Sequence, residues 1–296
     1  MSKIDIHADD YGITINASKK ILELVESKKL TGISVMPNMS AFEEALLMWK
    51  ERIAKDQEPW ISVHLNFMEG HCLANPKELS YLVDEKGLFN ISWGTLLKYN
   101  YNPKIRGMVK SQLKIEIMAQ LERVIAAYEL LQNKKLRVDS HQHTHMIPIV
   151  MEALLEVIAE NNYPTEYIRL SKEPWLVYLG RPEFYHTYSP LNCLKVCILN
   201  WYSRKDKKLL GRKGIPPMLL SGVFLSGKMD KKRITKLYPR LKNYAKKRTQ
   251  FLEVLFHPGD TLPEEVGEEF NHPGANEFYL SENRKLEYEA VKTFTI

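Results

Sequence analysis

The chain has 296 residues, 44% hydrophobic and 26% charged, an ordinary globular composition that argues against disorder and leaves room for a sizeable core. No run approaches the ~20 apolar residues that span a bilayer, no charged-then-apolar leader precedes the first strand-like segment, and Cys72, Cys193 and Cys197 are too sparse for a disulfide framework. The net charge of +6, much of it in 205–213 and 230–248, bears on solubility and weak association rather than on fold; the expectation is a cytoplasmic protein with no membrane and no nucleic acid among its partners, a homo-oligomer staying open.

Short β-type runs alternate with helix-type runs along the whole chain. Lys3–Ala8 has strand alternation and Ile15–Glu26 helical spacing. Gly32–Met36 is a second strand, ended by Pro37; Ser40 with Glu43 three residues on has the pattern of a capping box. Trp60–Leu65 is a third strand, and Gln112–Leu131 has helical apolar spacing. Arg137–His141 is a fourth strand, followed by a helix from about Pro148, where a first-turn proline is tolerated. Tyr167–Leu170 is a short fifth strand. Between Pro174 and Ser226 the pattern is weaker, with a helical stretch at Leu191–Tyr202 and a strand at Met218–Leu220. Asp230–Lys247 is a basic helix, Phe251–Phe256 a strong last strand and Ser281–Lys292 a closing helix. This alternation predicts a mostly parallel sheet: a closed or nearly closed, distorted (β/α) barrel of about seven strands in a single domain, 1–296, with an open doubly wound sheet as the other solution.

Four polar clusters fall at the C-terminal ends of these strands: Asp9-Asp10, His64 with Asn66, Asp139 with His141, His143 and His145, and His257. Taken singly, Asp9-Asp10 reads as a turn or helix cap, His64 as a satisfied core histidine and His257 as a turn residue before Pro258-Gly259. Four such coincidences on one sheet edge read differently, because parallel α/β folds build their sites there. In Asp139-Ser140-His141-Gln142-His143-Thr144-His145 the aspartate and three histidines alternate, so an extended chain would present them on one face. Burying four such groups without a partner is costly, and metal binding or proton chemistry is the simpler account. Imidazole and carboxylate suit a first-row divalent ion, and three protein ligands leave positions for water and substrate. No glycine-rich phosphate loop and no His-paired cysteine signature competes.

These clusters, in this order, resemble the YdjC-like carbohydrate deacetylases, which include the chitooligosaccharide deacetylases. The matching text is His7-Ala8-Asp9-Asp10-Tyr11-Gly12, His64-Leu65-Asn66-Phe67-Met68-Glu69-Gly70, Asp139-Ser140-His141-Gln142-His143-Thr144-His145, Phe256-His257-Pro258-Gly259 and the closing Glu282-Asn283-Arg284-Lys285-Leu286-Glu287. His7 stands where the family usually has Asn. The resemblance implies a distorted (β/α) barrel, one divalent ion (Mg or Zn) and an N-acetylated sugar as substrate. It implies Asp10, His64 and His141 as metal ligands, Asp9 as general base and His257 as general acid or positioning group. Tyr11, Asn66, Asp139, His143, His145 and Arg169 would support these residues or bind substrate; Arg169 would meet a sugar hydroxyl or orient Asp9. Tyr11, Trp93 and Trp175 are candidates for stacking on sugar rings. The rival readings are another metal hydrolase, acting on a phosphoester or glycosidic bond, and a non-catalytic anion-binding protein.

Overall fold

The structure, a computed structural model, describes residues 3–132, 134–271 and 274–295. Seven parallel strands, β1 (Ile4–Tyr11), β2 (Gly32–Val35), β3 (Trp60–Leu65), β4 (Leu136–Ser140), β5 (Thr165–Ile168), β6 (Met218–Ser221) and β7 (Phe251–Phe256), form one sheet in the order β5-β4-β3-β2-β1-β7-β6. The connecting helices are α1 (Ile15–Glu26), α2 (Phe42–Arg52), α3 (Trp93–Tyr101), α4 (Arg106–Tyr128), α5 (Pro148–Glu160), α6 (Leu176–Leu179), α7 (Pro190–Arg212), α8 (Lys231–Arg248), α9 (Ala275–Tyr279) and α10 (Glu282–Thr293).

The sheet curls into an incomplete barrel. Arg169, just past β5, reaches Asp9 on β1 and Glu253 on β7, strands that stand far from β5 in the sheet order. Only strong curvature brings them together. At the seam between the sheet edges the Leu220 N–H donates to the Lys172 carbonyl at 3.0 Å. The open doubly wound alternative would hold these edges apart.

Strand alternation sorts the side chains into two layers. Ile6, Ala8, Ile33, Val35, Ile61, Val63, Val138, Leu252 and Val254 are buried under the helices. The other face of the same strands carries Asp5, His7, Asp9, Ser34, Ser62, His64, Arg137, Asp139 and Glu253, all buried as well. The interior is therefore ionic and hydrogen-bonded, in contrast to the branched apolar filling usual in (β/α) barrels. Gly32 leaves room for this: a Cβ there would lie 2.5 Å from both Asp5 Oδ2 and His7 Nδ1.

Local chemistry explains most element boundaries. Thr14 caps α1, its Oγ1 accepting from Ala17 N at 3.2 Å, and Asp230 caps α8 through Arg233 N at 2.7 Å. Three expectations need correction. The Ser40 capping box does not form: α2 starts at Phe42, and Ser40 Oγ donates to Glu269 Oε1 instead. The helix expected from Gln112 begins at Arg106; Gly107, a weak helix former in its first turn, hides that start from the apolar spacing. The fourth strand stops at Ser140, and His141–Met146 turns in a tight helical segment with Gln142 (φ 51°) and His143 (φ 59°) in the left-handed region. The alternation expected for the histidine tract is therefore broken.

Candidate active site at the barrel mouth

In a regular strand Asp9 and Asp10 would point to opposite faces. Here β1 carries a bulge: the pairing with β2 shifts register between Ala8 and Tyr11, and Asp10 sits at φ 69°. Aspartate is among the few residues that tolerate this region, at a cost of about 1–2 kcal/mol. The bulge turns Asp10 towards the mouth beside Asp9. There Asp10 Oδ1 lies 3.2 Å from His141 Nδ1 and 3.5 Å from His64 Nε2, and the ligating atoms of the three residues fall within 4.8 Å of one another.

The surroundings fix each group. Asp139 Oδ1 accepts from His64 Nδ1 at 2.6 Å, and a carboxylate cannot donate, so a proton sits on Nδ1 and Nε2 is turned towards Asp10. His64 Nε2 is buried and has no hydrogen-bond partner among the described residues. Asp10 Oδ2 is held by Arg284 Nη1 at 2.9 Å, which leaves Oδ1 for a ligand, and His141 Nε2 meets Tyr279 Oη at 2.9 Å. Burial works against the charge on His64, yet Asp9, Asp10 and Asp139 together raise its pKa to about 10, so these carboxylates favour positive charge at this point. Burial likewise opposes ionisation of Asp10, but its bonds to His141 and His64 and the Arg284 charge keep it well below the carboxylate range. An orphaned imidazole nitrogen, a carboxylate oxygen and a second imidazole, converging and negatively biased, fit a divalent cation. Two other buried groups, Asp5/His7/Glu253 and His7/Asp9/Asp139, have the same residue types. Their carboxylates face arginines instead: Arg137 lies 3.2 Å from Asp5, and Arg169 lies 2.7, 2.9 and 2.7 Å from Asp9, Asp139 and Glu253.

Arg169 grips Asp9 with both terminal nitrogens, Nη1 to Oδ2 at 2.8 Å and Nη2 to Oδ1 at 2.7 Å. Against the burial penalty, this guanidinium and His64 hold Asp9 far below its usual value. The same hydrogen-bonded core includes His7, whose Nε2 meets Ser34 Oγ at 2.7 Å; burial opposes its charge, and Glu253 and Asp5 still raise it.

A cavity of about 300 Å³ opens over these groups and is lined by Asp9, His64, His141, His143 and His257 together with residues that the sequence did not mark. His257 follows β7, its backbone N–H donating to Glu287 Oε2 at 2.6 Å. His143 Nδ1 lies 3.0 Å from Ser171 Oγ; burial, then Lys195 and Arg169, push it well below the usual imidazole value, so the ring is neutral.

Other expected contributors lie elsewhere. Tyr11 is fully buried and its hydroxyl donates to the Ala45 carbonyl at 2.6 Å, so it cannot stack on a sugar. His145 bridges Ser140 Oγ and the Arg169 carbonyl, at 2.5 and 2.7 Å. Asn66 does not line the cavity; its side chain accepts from Met68 N and donates to the Glu69 carbonyl, shaping the loop after β3. Trp93 packs on Tyr202, and Trp175 lines a separate surface groove. Unmarked by the sequence reading were Glu69, Asn192, Lys195 and Tyr279, all on the cavity wall. Glu69 is buried with no hydrogen-bond partner for either carboxylate oxygen among the described residues, His141 Nε2 lying 3.9 Å from Oε1, and burial raises its carboxyl. Arg284 and Glu287, three apart on the buried face of α10, gave the one readable signal: charges where helical periodicity demands apolar residues.

An incomplete parallel barrel with a carboxylate and two imidazoles converging beyond its strand C-termini defines a class of α/β proteins with a cation-ready mouth. The chain belongs to the YdjC-like protein family, whose profile matches residues 3–293. It is similar to the carbohydrate deacetylase of Thermoanaerobacter pseudethanolicus, 26% identical over 173 residues, and to that of Geobacillus stearothermophilus, 28% identical over 183 residues. These matches cover 58% and 61% of this chain and 63% and 66% of the relatives, less than two thirds of their length. The crystal structure of a proposed cellobiose-phosphate cleavage protein from Enterococcus faecalis V583 shares the fold, with TM-score 0.59 and 17% identity over 98% of this chain and 94% of that chain.

Proposed function

We propose that the protein is a divalent-metal-dependent carbohydrate deacetylase that removes the acetyl group from an N-acetylated sugar, with the whole chain acting as one domain. The observation that carries this reading is the convergence of Asp10, His64 and His141, the two histidines lining one cavity with an ionised Asp9 and with His257. The deacetylase relatives support the substrate class.

Asp10 Oδ1, His64 Nε2 and a His141 ring nitrogen would hold the ion, zinc suiting two imidazoles and one carboxylate and magnesium being the other candidate. Bound there, the ion would polarise the acetamide carbonyl and lower the pKa of an attacking water. The remaining work falls to the protein. Arg169 fixes both oxygens of Asp9 and keeps it charged, so Asp9 is oriented to take the water proton as the new C–O bond forms. His257 gives a proton to the sugar nitrogen as the C–N bond breaks, and acetate and a free amine leave. Asn192, Lys195 and Glu69 bring hydrogen-bonding groups to the same wall for sugar hydroxyls. A volume of about 300 Å³ lies at the small end for ligand sites and suits one sugar ring better than a buried oligomer.

Metal content tests the ligand set. Asp10→Ala, His64→Ala and His141→Ala should each lose the ion by elemental analysis, while His257→Ala retains it. Full metal content in all three ligand variants would overturn the assignment.

A further inference from the structure

Helix α7 has two working faces. Its inner side buries Val196, Leu199, Tyr202 and Leu210 and brings Asn192 and Lys195 to the catalytic cavity. Its outer side carries Leu191, Leu194 and Trp201, exposed by 72%, 58% and 46%, at spacings that place them on one stripe. Beside this stripe, Trp175 and Leu176 at the start of α6 share a surface groove of about 380 Å³ with Trp201 and Arg204, and both are exposed. Five large apolar side chains exposed side by side mark an interaction surface.

The apolar stripe runs directly into cations. Past Trp201, α7 presents Arg204, Lys205 and Lys208 to solvent, and Lys172, Lys207 and Arg248 line the adjoining groove. None of these six has a carboxylate within 4.0 Å among the described residues, whereas Lys110, Lys114 and Arg123 on α4 are all paired. Lys172 registers the crowding: burial and then Lys207, Arg248 and Arg204 lower its ammonium below the usual range.

We propose that the outer faces of α6 and α7 dock on an anionic phospholipid bilayer, the leucines and tryptophans entering the interface and the unpaired cations meeting the headgroups. The absence of a spanning segment, from which the sequence reading expected no membrane, does not bear on a helix that lies in the surface. The chemistry disfavours other occupants. A second copy on the same face would bring the unpaired cations against themselves. A glycan would need a row of free aromatic faces, but Lys205 Nζ covers Trp201 at 4.1 Å from the ring centroid and the Arg248 guanidinium covers Tyr244 at 3.6 Å, which leaves Trp175. Nucleic acid offers nothing to Leu191 and Leu194. Docking would set the helix that walls the cavity at the lipid–water boundary, about one helix diameter, ~10 Å, from the headgroups. Combined with the proposed deacetylase activity, this points to N-acetylated sugars carried on lipid; the docking itself does not depend on that activity.

The test is co-sedimentation of the full-length protein with phosphatidylcholine vesicles, with and without phosphatidylglycerol, at low and high salt, alongside sedimentation velocity without lipid. The expected result is binding at least roughly tenfold stronger to the anionic vesicles and weakened by salt. Leu191→Asp combined with Leu194→Asp, both solvent-exposed, should lose most of this binding with an unchanged melting temperature. Arg204→Glu combined with Lys208→Glu should abolish the preference for anionic lipid. No partition into either vesicle, binding indifferent to the leucine changes, or a wild-type dimer that those changes dissociate would each overturn the proposal. None of these outcomes reads acetate release, so failure here is distinguishable from failure of the deacetylase reading.

Discussion

Arg169 stands inside the barrel with Asp9, Asp139 and Glu253 all within 2.9 Å, and burial makes each of those contacts matter. Removing one partner of a buried ion pair strands uncompensated charge. Arg169→Ala should therefore destabilise the protein by about 3–5 kcal/mol in urea unfolding, and Arg169→Lys should recover part of that without restoring the two-pronged grip on Asp9. His257→Ala has the opposite signature. Its side chain lines the cavity without holding the core, so stability and metal content should persist while turnover falls by about 10²–10⁴-fold and KM changes much less. Full activity in His257→Ala would move the acid role to another group. Asp9, Asp10, His64, His141 and His257 were legible as residue types at strand ends. Lys195 was not, because nothing near it in the chain marks which buried wall it will line, and Glu69, though inside the matched His64–Gly70 text, was not singled out as a cavity group.

Strands were the most legible elements, since a period of two and short apolar runs bounded by turns survive in any context. The β1 bulge was not, because the left-handed Asp10 that turns two adjacent carboxylates to one mouth leaves no trace in residue type. The histidine tract misled for the same reason: alternation held only to Ser140, and Gln142 and His143 then reversed the backbone twist. Helix α7 was legible as an apolar run but not as a cavity wall. It also carries a testable liability. Asp206 is buried on its inner face with no hydrogen-bond partner for Oδ2 among the described residues, and burial, only partly opposed by Lys205, pushes its carboxyl up to about 7. A carboxyl with a raised folded-state pKa costs nothing below its free value near 3.8, and destabilises progressively as pH climbs to about 7. Asp206→Asn should thus stabilise the protein by about 2 kcal/mol more at about pH 8 than at about pH 5. Thermal melts across that range check it; a gain independent of pH would show that the carboxyl does not titrate there.

At the scale of the molecule, the barrel inverts the usual distribution: its helices and outer sheet face supply the apolar core, and its interior supplies a fixed charge array below the mouth. Arginines neutralise the lower carboxylates, and the only converging donor set left with an orphaned imidazole nitrogen, among the described residues, is Asp10, His64 and His141. On the proposed reading the array would hold a cation at one point, with Asp9 as base and His257 as acid at the same cavity. The most direct measurement is acetate release from N-acetylglucosamine and its oligomers, by one preparation of purified protein as isolated, after chelation and after reloading with zinc or magnesium. The account predicts acetate from at least one of these sugars, lost on chelation and restored by one of the two ions. Acetate release that persists undiminished after the metal is stripped, or phosphate or reducing-sugar release without acetate from substrates bearing those bonds, would contradict it.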